Sequence, residues 1–261
     1  MRSLANALLF GATLLTSLTC NASLIDEESV VIPNCMKRGG VTPTIENATL
    51  ILVDDNVGYD LKSQEQLKKI LDEIQPLDFI NIIKYNDNKQ RIELLGITPK
   101  KDWEPNTKEK ISSYKISGIK NCMKIADIEF AGQKLNAAFK TLQGSSSSDK
   151  TTIHTRMWNE VFSSYIPKVN KEINIYWFTS NPALTDLAGN ELNNDYSEEL
   201  INRQLFTVNA VMPKNNKITL KIINQKPGYS SEPWNYGAWS DYFGLLNVRV
   251  APDNEQATQH N

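Results

Sequence analysis

In the segment TLILVDDNVGYD an apolar run ends in two adjacent carboxylates, Asp54 and Asp55, with Asn56 and Asp60 close behind. Carboxylates placed this way can hold a hard cation, exchange protons, or attack as nucleophiles. Each of these jobs needs further groups, and the rest of the chain supplies few. Only two histidines are present. His154 sits beside Thr155 and Arg156 with no Gly-flanked serine to serve, so it reads as a partly buried helix residue. The stretch GSSSSDK lacks a Gly-x-Ser-x-Gly elbow and reads as a loop. DLAGNELNNDY lacks the alternate acidic spacing of a calcium loop and reads as a turn.

The elements that must position Asp54 follow from periodicity. ATLILVDD is a continuous apolar run of the kind buried on both faces of a parallel sheet. In SQEQLKKILDEIQP, Ser63 and Gln66 form a capping-box pattern and Leu67, Ile70, Leu71 and Ile74 share one face, with Pro76 as the stop. DFINIIKY and QRIELLGITP read as two strands joined by a hairpin-like turn at NDNK. Residues 100–117 are polar and read as loop. DIEFAGQKLNAAFKTLQ predicts a helix burying Ile128, Ala131, Leu135, Ala138 and Leu142. TTIHTRMWNEVFSSYIP predicts another, with Ile153, Met157, Val161 and Tyr165 on one side. EINIYWFTSN and KITLKIINQ read as strands, and SEELINRQL between them as a short helix. The alternation predicts a doubly wound α/β domain with a mostly parallel sheet and one antiparallel strand. In such a sheet ligands gather at the carboxyl ends of strands, where Asp54, Asp55, Thr179, Ser180 and Asn181 would lie.

The chain of 261 residues carries a formal net charge of -2, with 40% hydrophobic and 22% charged residues. That is ordinary globular composition, with no electrostatic footprint for nucleic acid. The N-terminal MRSLANALLFGATLLTSLTCNAS has a single Arg2, an apolar run too short to span a bilayer comfortably, and small residues after it. It reads as a signal peptide over residues 1–22, cleaved after Ala22 to leave a periplasmic or secreted product. Lipid attachment at Cys20 is the alternative, and only that would place the protein on a membrane. Residues 23–46 then form a polar segment, 47–250 the folded domain and 251–261 a disordered tail. Export leaves Cys35 and Cys122 as an even pair in an oxidising compartment, which predicts a disulfide between them. Closing a loop of roughly 90 residues, it would contribute on the order of 4 kcal/mol in the chain-entropy model.

LILVDDN resembles the opening strand of a response-regulator receiver, but the later phosphorylated Asp and its Lys-Pro partner do not follow. A haloacid-dehalogenase-type site needs a second acid two residues after the first, where Asn56 stands. The order of elements over residues 48–250 resembles a third family, the von Willebrand factor A-like domains, and implies their three-layer α/β/α sandwich. That family's first strand ends in Asp-x-Ser-x-Ser, which binds Mg²⁺ or Mn²⁺ with help from a distant Thr loop and a later Asp. Asp54 and Asn56 occupy the first motif, Thr151 (or Thr152) lies in the expected Thr loop, and Thr179 and Ser180 stand where that family places the later Asp. The resemblance thus implies a metal set of Asp54, Asn56, Thr151 and Ser180. With both serines and the second Asp lost, too few hard ligands remain, and we read the set as vestigial.

The closing WNYGAWSDYF adds exposed-aromatic candidates for a partner surface, Trp234 and Tyr236, with Trp239 and Phe243 in the core. The expectation is an exported, non-catalytic protein-binding domain without a cofactor. Its partner would be another envelope protein or complex, in an envelope or mobile-element assembly. The rival is an exported metal-dependent hydrolase using Asp54 and Asp55.

Overall fold

The computed structural model describes residues 45, 47–54, 57, 61–86, 89–99, 101–102, 104, 112–142, 157–158, 160–162, 172–179, 217–224 and 248–251. Among these residues six strands form one sheet: β1 (Asn47–Asp54), β2 (Phe79–Asn86), β3 (Lys89–Ile97), β4 (Glu172–Thr179), β5 (Lys217–Asn224) and β6 (Val248–Ala251). Among the described residues two helices accompany the sheet, α1 (Leu61–Glu73) and α2 (Ser113–Leu142), and residues 157, 158 and 160–162 are helical as well. Across the sheet the order is β3-β2-β1-β4-β5-β6. All pairs are parallel except the β2–β3 hairpin. The protein is therefore an α/β domain with a mostly parallel sheet, as its alternating pattern predicts.

β1 is central, and every residue after Asn47 in it is buried. Its side chains alternate between two cores, as the pleat requires. Ala48, Leu50 and Leu52 join Ile173, Ile175 and Trp177 of β4 on one face, where Met157, Trp158, Val161 and Phe162 cover them. Ile51 and Val53 join Ile80, Ile82 and Phe178 on the other, beneath α1 and α2. Helical residues thus cover both faces, which is why the strands read as unbroken apolar runs.

α1 buries Leu67, Ile70 and Leu71, with Ile74 packed just beyond its end. It starts at Leu61, so Ser63 lies inside its first turn, buried, and is not the N-cap that the Ser63–Gln66 spacing predicts. The α1–β2 corner is tied by Asp78, whose two carboxylate oxygens accept from Asn47 Nδ2 and the Gln75 backbone N–H, each at 3.0 Å. Leu77 there takes a left-handed φ of 69°, a cost offset by its backbone bond to Thr98 at 2.9 Å and by packing on Ile119 and Met123.

α2 departs most from expectation. It begins at Ser113, inside the stretch read as loop, because Ser112 caps it: Ser112 Oγ accepts from the Lys115 backbone N–H at 3.4 Å. Its buried residues are Ile119, Met123, Phe130, Ala137, Ala138, Thr141 and Leu142. Ile128 and Leu135, expected inside, are 73% and 41% exposed, and Ala131 is exposed too. Ala138 and Leu142 of the expected face are buried, so the expectation holds only at the C-terminal end of the helix, which is apolar on two sides. β6 was not foreseen, since VRVA is too short for an alternation signal, and it claims Ala251 from the expected tail. Among the described residues no helix is long and apolar enough to cross a membrane.

Candidate functional site

The strand order reverses direction between β1 and β4, and this switch point is where an open α/β sheet opens a crevice beyond its carboxyl ends. Asp54 is the last residue of β1 and Thr179 the last of β4, and both are fully buried. The register pairs Asp54 with Tyr85 at the end of β2 and Val53 with Phe178 on β4. Asp54, Tyr85, Trp177 and Thr179 thus converge at one end of the sheet, on the face covered by Met157, Trp158, Val161 and Phe162.

Asp54 does not project outward from this end. Its side chain turns into the core, where Oδ1 accepts a hydrogen bond from Trp177 Nε1 at 3.0 Å. The chain then turns sharply, with the Val57 N–H bonded to the Asp54 carbonyl at 3.0 Å and Val57 itself buried. Trp177 meets Trp158 edge to face, with centroids 5.4 Å apart, and Trp158 stacks on Phe162 at 5.6 Å. Beside them the Tyr85 hydroxyl donates to Glu160 Oε2 at 2.5 Å. A second carboxylate is thereby drawn to the same strand ends by a phenol.

An indole N–H is a donor only and neither gives nor takes a proton near neutral pH. Its bond to Asp54 therefore fixes the carboxylate without activating it. A hard cation needs several oxygens that can turn toward it in place of its water. Asp54 is buried and one of its oxygens is committed to the indole, so this residue does not fit as the anchor of a Mg²⁺ or Mn²⁺ site. Among the described residues no three His, Cys, Asp or Glu side chains gather as a cation site. The other residues of the expected metal set, Asn56, Thr151 and Ser180, lie outside the described residues, as do Asp55, Trp234 and Tyr236. Cys122 is disulfide-bonded. Cys35, its expected partner, lies outside the described residues.

Sequence reasoning missed Trp177, Tyr85 and Glu160 as the surroundings of Asp54. IYWFT announces a buried strand, but only the β1–β4 register tells which of its aromatics faces Asp54.

On the opposite face of β4, Tyr176 is buried, with Lys221 Nζ 5.2 Å from its ring centre. Desolvation first, and the Glu73 charge second, raise its phenol above the ordinary 10.0. The folded state therefore favours the protonated phenol. That contribution to stability is complete below the unfolded value of 10.0 and is lost as pH rises through the raised folded value. Burial lowers the pKa of Lys134, which acts in the opposite sense, so the test is a comparison with Tyr176→Phe. Thermal melts between about pH 9 and 11 are expected to fall more steeply for the wild type than for the variant. Parallel slopes would mean that the phenol is not desolvated.

No family model matches the chain, and no curated protein matches it. Among solved structures, the D319A mutant of the PilB minor pilin from Streptococcus sanguinis is similar with a TM-score of 0.44 and 10% sequence identity. That similarity covers 82% of this chain and 59% of the pilin chain, so this chain spans less than two thirds of the pilin's length.

Proposed function

We propose that the chain is an exported, non-catalytic protein-binding domain of von Willebrand factor A-like fold, serving an envelope or mobile-element assembly of the conjugation type. Its partner is another envelope protein or complex, engaged through the loops at the carboxyl ends of the strands. The observation that carries this reading is the commitment of Asp54 to Trp177. The residue that stands where such a domain would begin its cation site is built into the core as a hydrogen-bond acceptor. The six-stranded doubly wound sheet with its antiparallel β3 edge supports the fold assignment, and export rests on the N-terminal pattern of charge, apolar run and small residues. The step from fold to partner binding is by analogy, since sites and not folds determine function.

Calorimetric titration with Mg²⁺, Mn²⁺ and Ca²⁺ separates this reading from the hydrolase. The expected outcome is no sub-millimolar binding to the wild type. Sub-millimolar binding that disappears in Asp54→Ala, together with turnover of a phosphate or ester substrate, would establish the hydrolase instead.

A further inference from the structure

Helix α2 carries a second apolar stripe, on the side away from the sheet. Tyr114, Ile125, Ile128, Leu135 and Phe139 are all exposed, Tyr114 at 90% and Ile128 at 73%. With Gly118, Asn121 and Gly132 they recur at alternating steps of four and three residues from 114 to 139, the spacing of a coiled-coil seam. The two glycines face open space, with no atom within 4 Å of where a Cβ would stand, so another backbone can approach closely there. The buried stripe of Ile119, Met123, Phe130 and Ala137 is separate, lying on the far side of the same helix.

We propose that this seam pairs with the same seam of a second copy of the chain, as a parallel and in-register helix pair. Charge placement selects this occupant. With Gly118, Ile125, Gly132 and Phe139 at a and Tyr114, Asn121, Ile128 and Leu135 at d, the flanking g and e positions hold few charges. In a parallel pair each g side chain faces the e side chain five residues further on in the other helix. Lys124 at g then faces Glu129 of the second copy at e, and two-fold symmetry repeats the pair. The same alignment places Asn121 against Asn121 of the second copy, so each seam amide meets a group it can hydrogen-bond. An antiparallel pairing, which sets d against a, would place these amides against glycine, isoleucine or phenylalanine, and a one-heptad parallel shift would place them against Tyr114 or Ile128. A continuous exposed apolar stripe of this length is otherwise an aggregation liability. The inference rests on α2 alone and stands apart from the functional reading above.

The test uses the full chain in analytical ultracentrifugation and in oxidative cross-linking. The wild type is expected to sediment as a dimer at micromolar concentration. Ile128→Glu, at a position that contributes nothing to the core, should weaken the dimer at least about tenfold. Lys124→Glu or Glu129→Lys alone should weaken it, and the double exchange should restore it. Ile128→Cys should give a covalent dimer on mild oxidation, and Lys140→Cys, off the seam, should not. A monomer at all concentrations overturns the proposal, as does a dimer indifferent to Ile128→Glu. If the chain is monomeric and Ile128→Glu speeds proteolysis of residues preceding β1, the stripe is covered from within the chain, and the proposal is equally overturned.

Discussion

Replacing Trp177 by Phe is expected to destabilise the protein by about 3 kcal/mol, because it takes the indole donor from a buried carboxylate. The bond joins residues 123 apart in sequence and spans β1 and β4, the two strands at the centre of the sheet. A hydrogen bond to a charged group contributes about 1.5–3 kcal/mol, and removing one partner leaves the other to bear its desolvation cost. The smaller ring also forfeits part of the edge-to-face contact with Trp158, at about 0.5–1.5 kcal/mol. In a domain of this size the melting temperature should fall by roughly 6–12 °C. A cycle combining Trp177→Phe with Asp54→Ala isolates the bond itself, and a coupling of about 1.5–3 kcal/mol is expected. A coupling near zero would mean that Asp54 does not depend on the indole. The non-catalytic reading would then lose its main support. Stability and function are thus probed by the same pair of residues.

The five longer strands were legible because burial on both faces writes continuous apolar runs into the sequence, and β2–β3 announced its hairpin by the polar NDNK. Position in the sheet was less legible. Nothing local in LILVDD says that Asp54 turns inward. That depends on Val53 lying opposite Phe178, which brings Trp177 to the same face as Asp54. A carboxylate after an apolar run therefore looks alike in sequence whether it awaits a cation or accepts from a core indole. Helix α2 failed for another reason. Its periodicity was real, but Ile128 and Leu135 belong to an exposed stripe as regular as the buried one. The packing of Ile119 and Met123 under Leu77, and of Phe130, Ala137 and Leu142 against the sheet, shows which side faces the protein. Its first turn was missed because a single serine cap outweighs a polar composition there.

Asn81→Leu is expected to stabilise the protein by about 2 kcal/mol and raise its melting temperature by roughly 4–8 °C. Asn81 lies in the middle of β2, between Leu50 of β1 and Leu95 of β3, and is fully buried. Among the described residues neither its Oδ1 nor its Nδ2 has a hydrogen-bond partner. Strand alternation sets it on the same face as Phe79 and Ile83, members of the apolar core beneath Trp158 and Trp177. Each buried amide group without a partner costs about 1–3 kcal/mol, and a leucine of the same branching removes both while adding apolar burial. Its methyl groups are bulkier than the amide they replace, and the strain of fitting them takes back part of the gain. Asn81→Asp supplies the opposite sign, since an unpaired charge at the same point is worse than an unpaired amide. Thermal and denaturant melts of the three proteins should rank Leu above Asn and Asn above Asp. A loss of stability in Asn81→Leu would mean that the amide has a partner in solution, an internal water being the simplest. Should Leu stabilise as expected, Asn81 is retained for something other than folding. It shares a face of the sheet with Tyr85, four residues along β2, and Tyr85 lies opposite Asp54. Partner binding by Asn81→Leu is therefore the natural companion measurement, and reduced binding with raised stability would mean that the core beneath the strand ends shapes the surface that binds.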